Sequence, residues 1–554
     1  MSTARTHRLP LAGVLRLGRP SDIWFKPALS VVAAVAPANL TLLALGRLDL
    51  AMYTMAGSLC ALYGHSRPYA ARARVLAWVV LGMVGGLTVS LVAASLTHSA
   101  VVLVTVGAVL AAVQKAVSDA TRLGPPGNVV LTFISSASLF APQTLGQVPG
   151  HAALALAAGA WAWLVGMAPG LLRPHGPERR ATARALDAAA AYADACGTAD
   201  GPPRARAASA AAIHAAWQSL LAAGARPDRN RRALERLLIR AEVALAAPAD
   251  TDPARLRAWA RELRGTGRIP RVGAPRESAD ELLGVDSELA VPRPPLRRRL
   301  APCAPIAVRT AIGCALAGYA SLALGVGRPY WALVTAASLY QANLTLTWSR
   351  AVQRVVGNVL GVLVFAALAP VAHLHPAALV LSVLALNFGA EALIGRNYWL
   401  GTVCVTPMAL LITEFARAQN PAELITERVM DTLVGALVGF VAAVAVTNRR
   451  AGDRLEHALA TAERARENAA RLLAEPRPAP HALEAARRAL AAALADLRAT
   501  ADAASGEWWQ RALPEERVVL TERSGHRTLA ATVRRQGFVP QRDQDGRATE
   551  EVRP

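Results

Sequence analysis

Apolar blocks of about 17–22 residues recur along this chain of 554 residues, 53% of which are hydrophobic. A helix needs about 20 such residues to cross roughly 30 Å of hydrocarbon. The sequence therefore predicts an all-α polytopic membrane protein with about twelve transmembrane helices. The predicted spans are 28–46, 50–66, 75–95, 98–116, 127–146, 151–172, 304–324, 329–345, 352–370, 376–394, 397–415 and 428–447.

The spans form two groups of six, and each group is followed by a polar helical section. This layout indicates a duplication. Because an even number of spans returns the chain to the side on which it started, the halves are predicted to be parallel repeats. The predicted segments are a basic cytoplasmic N-terminus (1–27), a first membrane half (28–172), a cytoplasmic helical section with a linker (173–302), a second membrane half (303–447), a second cytoplasmic helical section (448–505) and a polar tail expected to be disordered (506–554).

The distribution of arginines predicts the orientation. Arg67, Arg72 and Arg74 follow the second span, whereas the turns near Thr97 and Gly150 carry no Arg or Lys. The positive-inside rule therefore places both termini and both helical sections in the cytoplasm. Arg and Ala replace Lys and Ile throughout, which is typical of a GC-rich bacterial genome and predicts the inner membrane of a bacterium. The first apolar block follows a basic, polar stretch and is itself followed by further spans, which argues against a cleaved signal peptide.

The formal net charge of +21 is explained by membrane orientation and by attraction to anionic lipid rather than by nucleic acid, which would require a basic face on a soluble fold. The chain has no P-loop or dinucleotide motif, so neither an enzyme nor a cofactor is predicted. No metal site is predicted either, because the cysteines lack ligand spacing. They are Cys60, Cys196, Cys303, Cys314 and Cys404.

The stretch from Arg328 to Gly361 is the most informative part of the chain. It combines interfacial aromatics, polar groups along a span and two arginines on one helical face. Its candidate pathway residues are Tyr330, Trp331, Thr335, Gln341, Arg350, Arg354 and Asn358. The structural alternative is an aromatic belt with positive-inside anchors. Gly357 and Gly361, like Gly435 and Gly439, have the spacing of close helix packing.

The pattern Tyr-Trp-Ala…Thr…Gln…Arg-x3-Arg-x2-Gly-x3-Gly resembles the signature of the fusaric acid resistance (FUSC) family within the aromatic acid exporter superfamily. Thr406-Pro407 and Arg428-x2-Asp431-Thr432-x2-Gly435 support this resemblance, which covers roughly 304–447. Asn358 stands where that family more often has Thr. The resemblance implies efflux of aromatic or other organic acids by a homo-oligomer.

The predicted function is therefore efflux of small organic anions, driven by the proton gradient because the chain has no ATP site. The alternatives are a passive anion channel, like the related malate transporters, and a non-transporting membrane scaffold. Arg350 and Arg354 are predicted to form a cytoplasmic-facing rim. Arg309, one turn into its span, either attracts substrate or extends to the interface.

Arg428 and Asp431 are the predicted coupling residues. They lie three residues apart, near the start of the last predicted span, and would exchange their ion pair for a proton. The structural alternative is that an acid in the first turn is stabilised by the helix dipole and the neighbouring arginine.

Overall fold

A computed structural model describes residues 11, 13–18, 20, 23–196, 202–223, 229–271, 295–415, 419–446, 451–507 and 514–536. These residues are helical and contain no strand. The all-α polytopic prediction is confirmed, because eight helical stretches are long and apolar enough to cross a membrane. The first membrane half contains α1 (Phe25–Ala44), α2 (Ala51–Ser58), α3 (Tyr69–Leu96), α4 (Ala100–Ala120), α5 (Val129–Ser138), α6 (Val148–Met167) and the short α7 (Pro169–Leu172).

The second membrane half follows the short α12 (Leu296–Leu300). Its helices are α13 (Ala304–Ala323), α14 (Pro329–Leu339), α15 (Leu344–Ala372), α16 (Pro376–Ile394), α17 (Tyr398–Thr413) and α18 (Pro421–Ala445). Asparagine caps define three of these starts: the side chains of Asn343, Asn397 and Asn420 accept hydrogen bonds from backbone N–H groups of α15, α17 and α18.

Eight of the twelve predicted spans contain helices long enough to cross a bilayer, and the other four contain shorter helices. They are α2, α5, α14 and α17, the second and fifth helices of each half. The apolar residues continue beyond these helices in other conformations; after α14, for example, residues 340–343 are not helical. Non-helical backbone at membrane depth is tolerated where protein buries it or where it lines a cavity.

The two halves repeat the same packing. The second helix contacts the sixth in each half (α2 with α6, α14 with α18), and the third contacts the fifth (α3 with α5, α15 with α17). The first helix of each half also packs on the fourth helix of the other, α1 on α16 and α13 on α4. This reciprocal exchange is what a two-fold relation between repeats produces.

Glycines bring the repeated pairs together, as the sequence predicted. A methyl group on Gly357 or Gly361 would meet Thr402 or Thr406 of α17, and one on Gly435 would meet the backbone of Ala332 in α14. Gly57 of α2 approaches the backbone of α6 just as closely. Small residues allow this approach, and the resulting van der Waals contacts hold the helices together in lipid.

The remaining helices form a layer at one end of the membrane halves, called here the helical layer. It consists of α8 (Gly176–Ala195), α9 (Pro202–Ala222), α10 (Arg229–Ala246), α11 (Pro253–Arg264), α19 (Ala451–Ala474), α20 (Pro480–Ser505) and α21 (Glu515–Arg535). The two sections of the layer touch each other. Arg487 pairs with Glu242, and the Arg488 guanidinium lies 3.8 Å from the Trp217 ring centroid. Both sections therefore lie on the same side of the membrane.

Helix α21 lies within the predicted polar tail, 506–554, and corrects that part of the prediction. Val518, Leu529 and Val533 recur at helical spacing and are buried against α19 and α20. Beyond Gln536 the predicted tail lies outside the described residues.

Reporter fusions at Gly150 and Asp250 should give opposite signals. Gly150 lies at the start of α6 and Asp250 lies in the helical layer, so one span separates them. We expect a periplasmic reporter to be active at Gly150 and a cytoplasmic reporter at Asp250. Identical signals at the two sites would contradict the parallel arrangement.

Candidate functional site

A group of buried polar side chains occupies the interior of the second membrane half. It is contributed by α13, α14, α15, α17 and α18, and every member is buried except Tyr398, which is half-buried. We call it the polar cluster. Its members are Ser321, Trp331, Thr335, Arg354, Asn358, Tyr398, Thr406, Arg428 and Asp431.

Arg428 is the most deeply buried cation of the cluster, with 1% of its surface exposed. Its guanidinium carbon lies 3.8 Å from the centroid of the Trp331 ring. This cation–π contact compensates part of the lost hydration. Within the described ranges, its Nε and Nη1 atoms have no hydrogen-bond partner. An unsatisfied buried donor costs about 1–3 kcal/mol, and more when the group is charged, so the arrangement favours an anion that would complete it.

Asp431 lies on the same face of α18, one turn after Arg428, but among the described residues the two form no ion pair. The Ser321 hydroxyl instead donates a hydrogen bond of 2.6 Å to Oδ1 of Asp431, while Oδ2 has no partner. Helix α18 begins at Pro421, seven residues before the predicted start. Asp431 is therefore roughly 15 Å inside the helix, beyond the reach of the helix dipole, which corrects the first-turn placement.

Arg354 and Arg350 meet Tyr398, the first residue of α17. Arg354 donates a hydrogen bond of 3.2 Å from Nη1 to the Tyr398 hydroxyl, and the Arg350 guanidinium lies 3.9 Å from the centroid of the same ring. Arg354 is 4% exposed, and its Nε has no hydrogen-bond partner in the part of the chain that the structure describes. Arg354, predicted as part of a cytoplasmic-facing rim, therefore lies inside the protein. Arg350 is half-buried next to it.

Neutral polar atoms without partners accompany these cations. They are the hydroxyls of Thr335 and Thr406 and both amide atoms of Asn358. The glycine contacts described above bring α14 to α18 and α15 to α17, and so hold these side chains in the same region. Together they offer donors and acceptors that a polar ligand could use.

An aromatic wall borders the cluster and joins the two halves. Tyr330 stacks on Phe140 with ring centroids 5.7 Å apart, and Trp331 lies 5.6 Å from Phe133 by the same measure. Phe133 and Phe140 come from the first half, which sequence reasoning did not connect with the site. Sequence reasoning also missed Tyr398, an aromatic at the start of one span, and Ser321, a serine near the end of another. Each of these features is a weak signal of a functional site.

Of the predicted pathway residues outside the cluster, Tyr330 and Arg350 border it, whereas Arg309 and Gln341 lie apart from it. Arg309 donates a hydrogen bond of 2.9 Å from Nε to the carbonyl of Val446, next to the end of α18. Gln341 lies in the connection between α14 and α15, where its backbone N–H donates to the Thr347 hydroxyl. Both residues lie on the side of the membrane half that faces the helical layer. Arg309 contacts the end of a helix, and Gln341 forms its hydrogen bond within a turn.

The N-terminal segment 13–18 packs against the layer side of α15 and α17. The Val14 carbonyl accepts hydrogen bonds from Gln353 and Asn397, and the Leu15 carbonyl accepts one from Trp399. Sequence reasoning treated this segment only as a basic flank. No group of three or more His, Cys, Asp or Glu side chains able to hold a metal is found in the described part of the chain.

Comparison with known proteins finds a family match for the segment that contains the polar cluster. Residues 314–442, from α13 to α18, match the family model described as fusaric acid resistance protein-like. An uncharacterized membrane protein of Bacillus subtilis, YvaC, is 31% identical over 139 residues, which are 24% of this chain and 22% of that protein. The alignment thus spans about a fifth of the relative's length. No solved structure matches the chain. The chain is therefore a polytopic membrane protein whose residues 314–442 are similar to the fusaric acid resistance-like family.

Proposed function

We propose that this protein exports small organic anions, aromatic carboxylates in particular, through the polar cluster of its second membrane half. The observation that carries the proposal is the pair of buried guanidiniums, Arg354 and Arg428, whose unpartnered N–H groups lie among aromatic rings inside a membrane domain. Charged side chains within spans are expensive and usually mark a substrate path.

The chemistry of the cluster favours a carboxylate attached to a flat apolar body. A guanidinium presents a planar set of donors that matches the two oxygens of a carboxylate. Tyr330, Trp331 and Phe133 offer ring faces and edges beside it, and aromatic pairs gain energy in offset or edge-on arrangements. The fusaric acid resistance-like description of segment 314–442 agrees with an acidic substrate.

Asp431 supplies a proton site for the same cluster. It is the one carboxylate of the cluster, and Ser321 satisfies one of its two oxygens. A proton on the other oxygen would neutralise Asp431 and leave Arg428 free to hold an anion. Loss of that proton would restore a competing negative charge. Protonation of Asp431 and anion binding at Arg428 are thereby linked, and this linkage makes Asp431 the candidate coupling residue. Assembly into a homo-oligomer in the bacterial inner membrane stays a prediction.

Transport by the purified full-length protein in liposomes tests the proposal. With an imposed pH gradient, we expect labelled benzoate to accumulate against its own gradient. Malate should move more slowly because it offers no ring, and benzylamine should not move because its charge is repelled. Collapse of the pH gradient with an ionophore should leave only downhill flux of benzoate.

The result also separates the alternatives. Benzoate flux that equilibrates but never accumulates would assign the protein to the passive anion channels. Absence of benzoate flux, in liposomes whose protein content and orientation have been verified, would contradict the proposal and favour a scaffold.

A further inference from the structure

A basic cleft of about 860 Å³ lies where the helical layer meets the first membrane half. It is lined by Phe25 and Lys26 at the start of α1, by Leu172 and Arg173 at the end of α7, and by the loop 263–271 after α11. The start of α8 closes it from a further side. The cleft is remote in sequence from the polar cluster and plays no part in the proposed export.

The walls of the cleft carry an excess of positive charge. Lys26, Arg173, Arg180, Arg268 and Arg271 line it, and no carboxylate does so within the described ranges. Two neighbouring acids offset part of this charge without lining the cleft: Asp187 pairs with Arg264 of the wall, and the buried Glu178 interacts with Arg180. Burial and the charges of Arg184 and Arg173 lower the pKa of Arg180. These cations therefore repel one another, and a bound anion would remove that repulsion.

The cleft is held in shape by the protein itself. Arg179 donates hydrogen bonds to the carbonyls of Leu263 (3.1 Å), Gly267 (2.8 Å), Glu262 (3.3 Å) and Gly265 (3.2 Å), which fixes the loop after α11 against α8. Helix α8, of 20 residues, begins in the cleft without a side-chain cap. Its first N–H groups add to the positive potential there.

An exposed apolar edge borders the cleft on the membrane side. Leu171 and Leu172 are 89% and 87% exposed, and Trp24 and Phe25 are about two-fifths exposed at the start of α1. Leucines so exposed at the end of a span contact lipid tails, and aromatics in that position lie at headgroup level. A ligand in the cleft would thus meet cations at one end and lipid-facing side chains at the other.

We infer that the cleft binds the phosphate headgroup of an anionic phospholipid whose acyl chains lie along Leu171 and Leu172. A free phosphate compound would use the same cations but would gain nothing from the apolar edge. Basic pockets between spans on one membrane face are suited to such headgroups. The bound lipid would join α1, α7 and the helical layer, so it should stabilise the protein and need not affect substrate affinity.

Native mass spectrometry and thermal unfolding of the full-length protein in detergent test this inference. With phosphatidylglycerol added in mixed micelles, we expect retained lipid and a rise in Tm, whereas phosphatidylcholine should give neither. The variant Arg173→Gln/Arg268→Gln should bind phosphatidylglycerol on the order of 20-fold more weakly, because each cation near a membrane surface contributes roughly a fivefold factor.

A matched variant controls for net charge. Arg204→Gln/Arg523→Gln removes two exposed arginines of the helical layer that lie outside the cleft, and its lipid binding should equal that of the parent protein. Equal weakening in both double variants would overturn the inference. Inorganic phosphate is the second arm: stabilisation by phosphate as large as by phosphatidylglycerol, at matched ionic strength, would assign the cleft to a free anion instead. Benzoate transport by the same variants tests the proposed export separately, because export should persist even if the cleft does not bind lipid.

Discussion

Replacing Arg428 by Gln should weaken the apparent affinity for benzoate at least 30-fold. The guanidinium is fully buried over Trp331 with Nε and Nη1 unpartnered, so an incoming carboxylate would form desolvated, charge-assisted hydrogen bonds with it. Removing one partner of such a pair costs about 2–5 kcal/mol, and 1.4 kcal/mol corresponds to a factor of ten. Concentration-dependent uptake into liposomes gives the apparent KM directly.

The thermal stability of Arg428→Gln provides a test that is independent of transport. Because no ion pair compensates Arg428 in the described structure, its removal eliminates a buried charge rather than breaking a pair. The Tm of Arg428→Gln in detergent should therefore be equal to or above that of the parent. Arg428→Lys keeps the charge but loses the planar donor set, so its apparent affinity for benzoate should lie between those of the parent and Arg428→Gln. A Tm that falls sharply, together with lost membrane insertion, would make Arg428 a structural residue.

Replacing Asp431 by Asn should abolish accumulation of benzoate against its gradient and leave downhill flux. Asn keeps the shape and can still accept the hydrogen bond from Ser321, but it does not exchange a proton. If Asp431 is the coupling group, imposed pH gradients then have no effect on the variant. The measurement compares uphill and downhill benzoate flux at equal protein content.

Ser321→Ala is the matched companion variant. It removes the hydrogen bond to Asp431 but keeps the titratable carboxyl, so uphill transport should persist with a changed pH profile. Undiminished accumulation in Asp431→Asn would assign Asp431 to structure alone, and coupling would have to lie elsewhere. The anion-binding role of Arg428 would be unaffected by that outcome.

The local motifs were predictable because each depends on residues close together in sequence. The spacing of Gly357 and Gly361 predicted tight helix contact, and that contact is made with α17. Tyr330, Trp331 and Arg354 were selected from a single stretch of chain. The depth of Arg354 was not predictable in this way, since it was expected at a cytoplasmic-facing rim and is almost completely buried. The position of a residue in the sequence specifies how far along a helix it lies, but not which neighbouring helices bury its side chain.

Periodicity and charge by themselves determined that this chain folds as helices in a membrane, in two similar halves, because hydrocarbon requires apolar blocks of one length. Only the tertiary structure decided that the second and fifth helices are short, that Asp431 contacts Ser321 rather than Arg428, and that Phe133 of the first half reaches Trp331 of the second. These features depend on contacts between residues far apart in the chain. The free energy of such contacts comes from the packing and desolvation of both partners, so the sequence of one segment alone does not determine it.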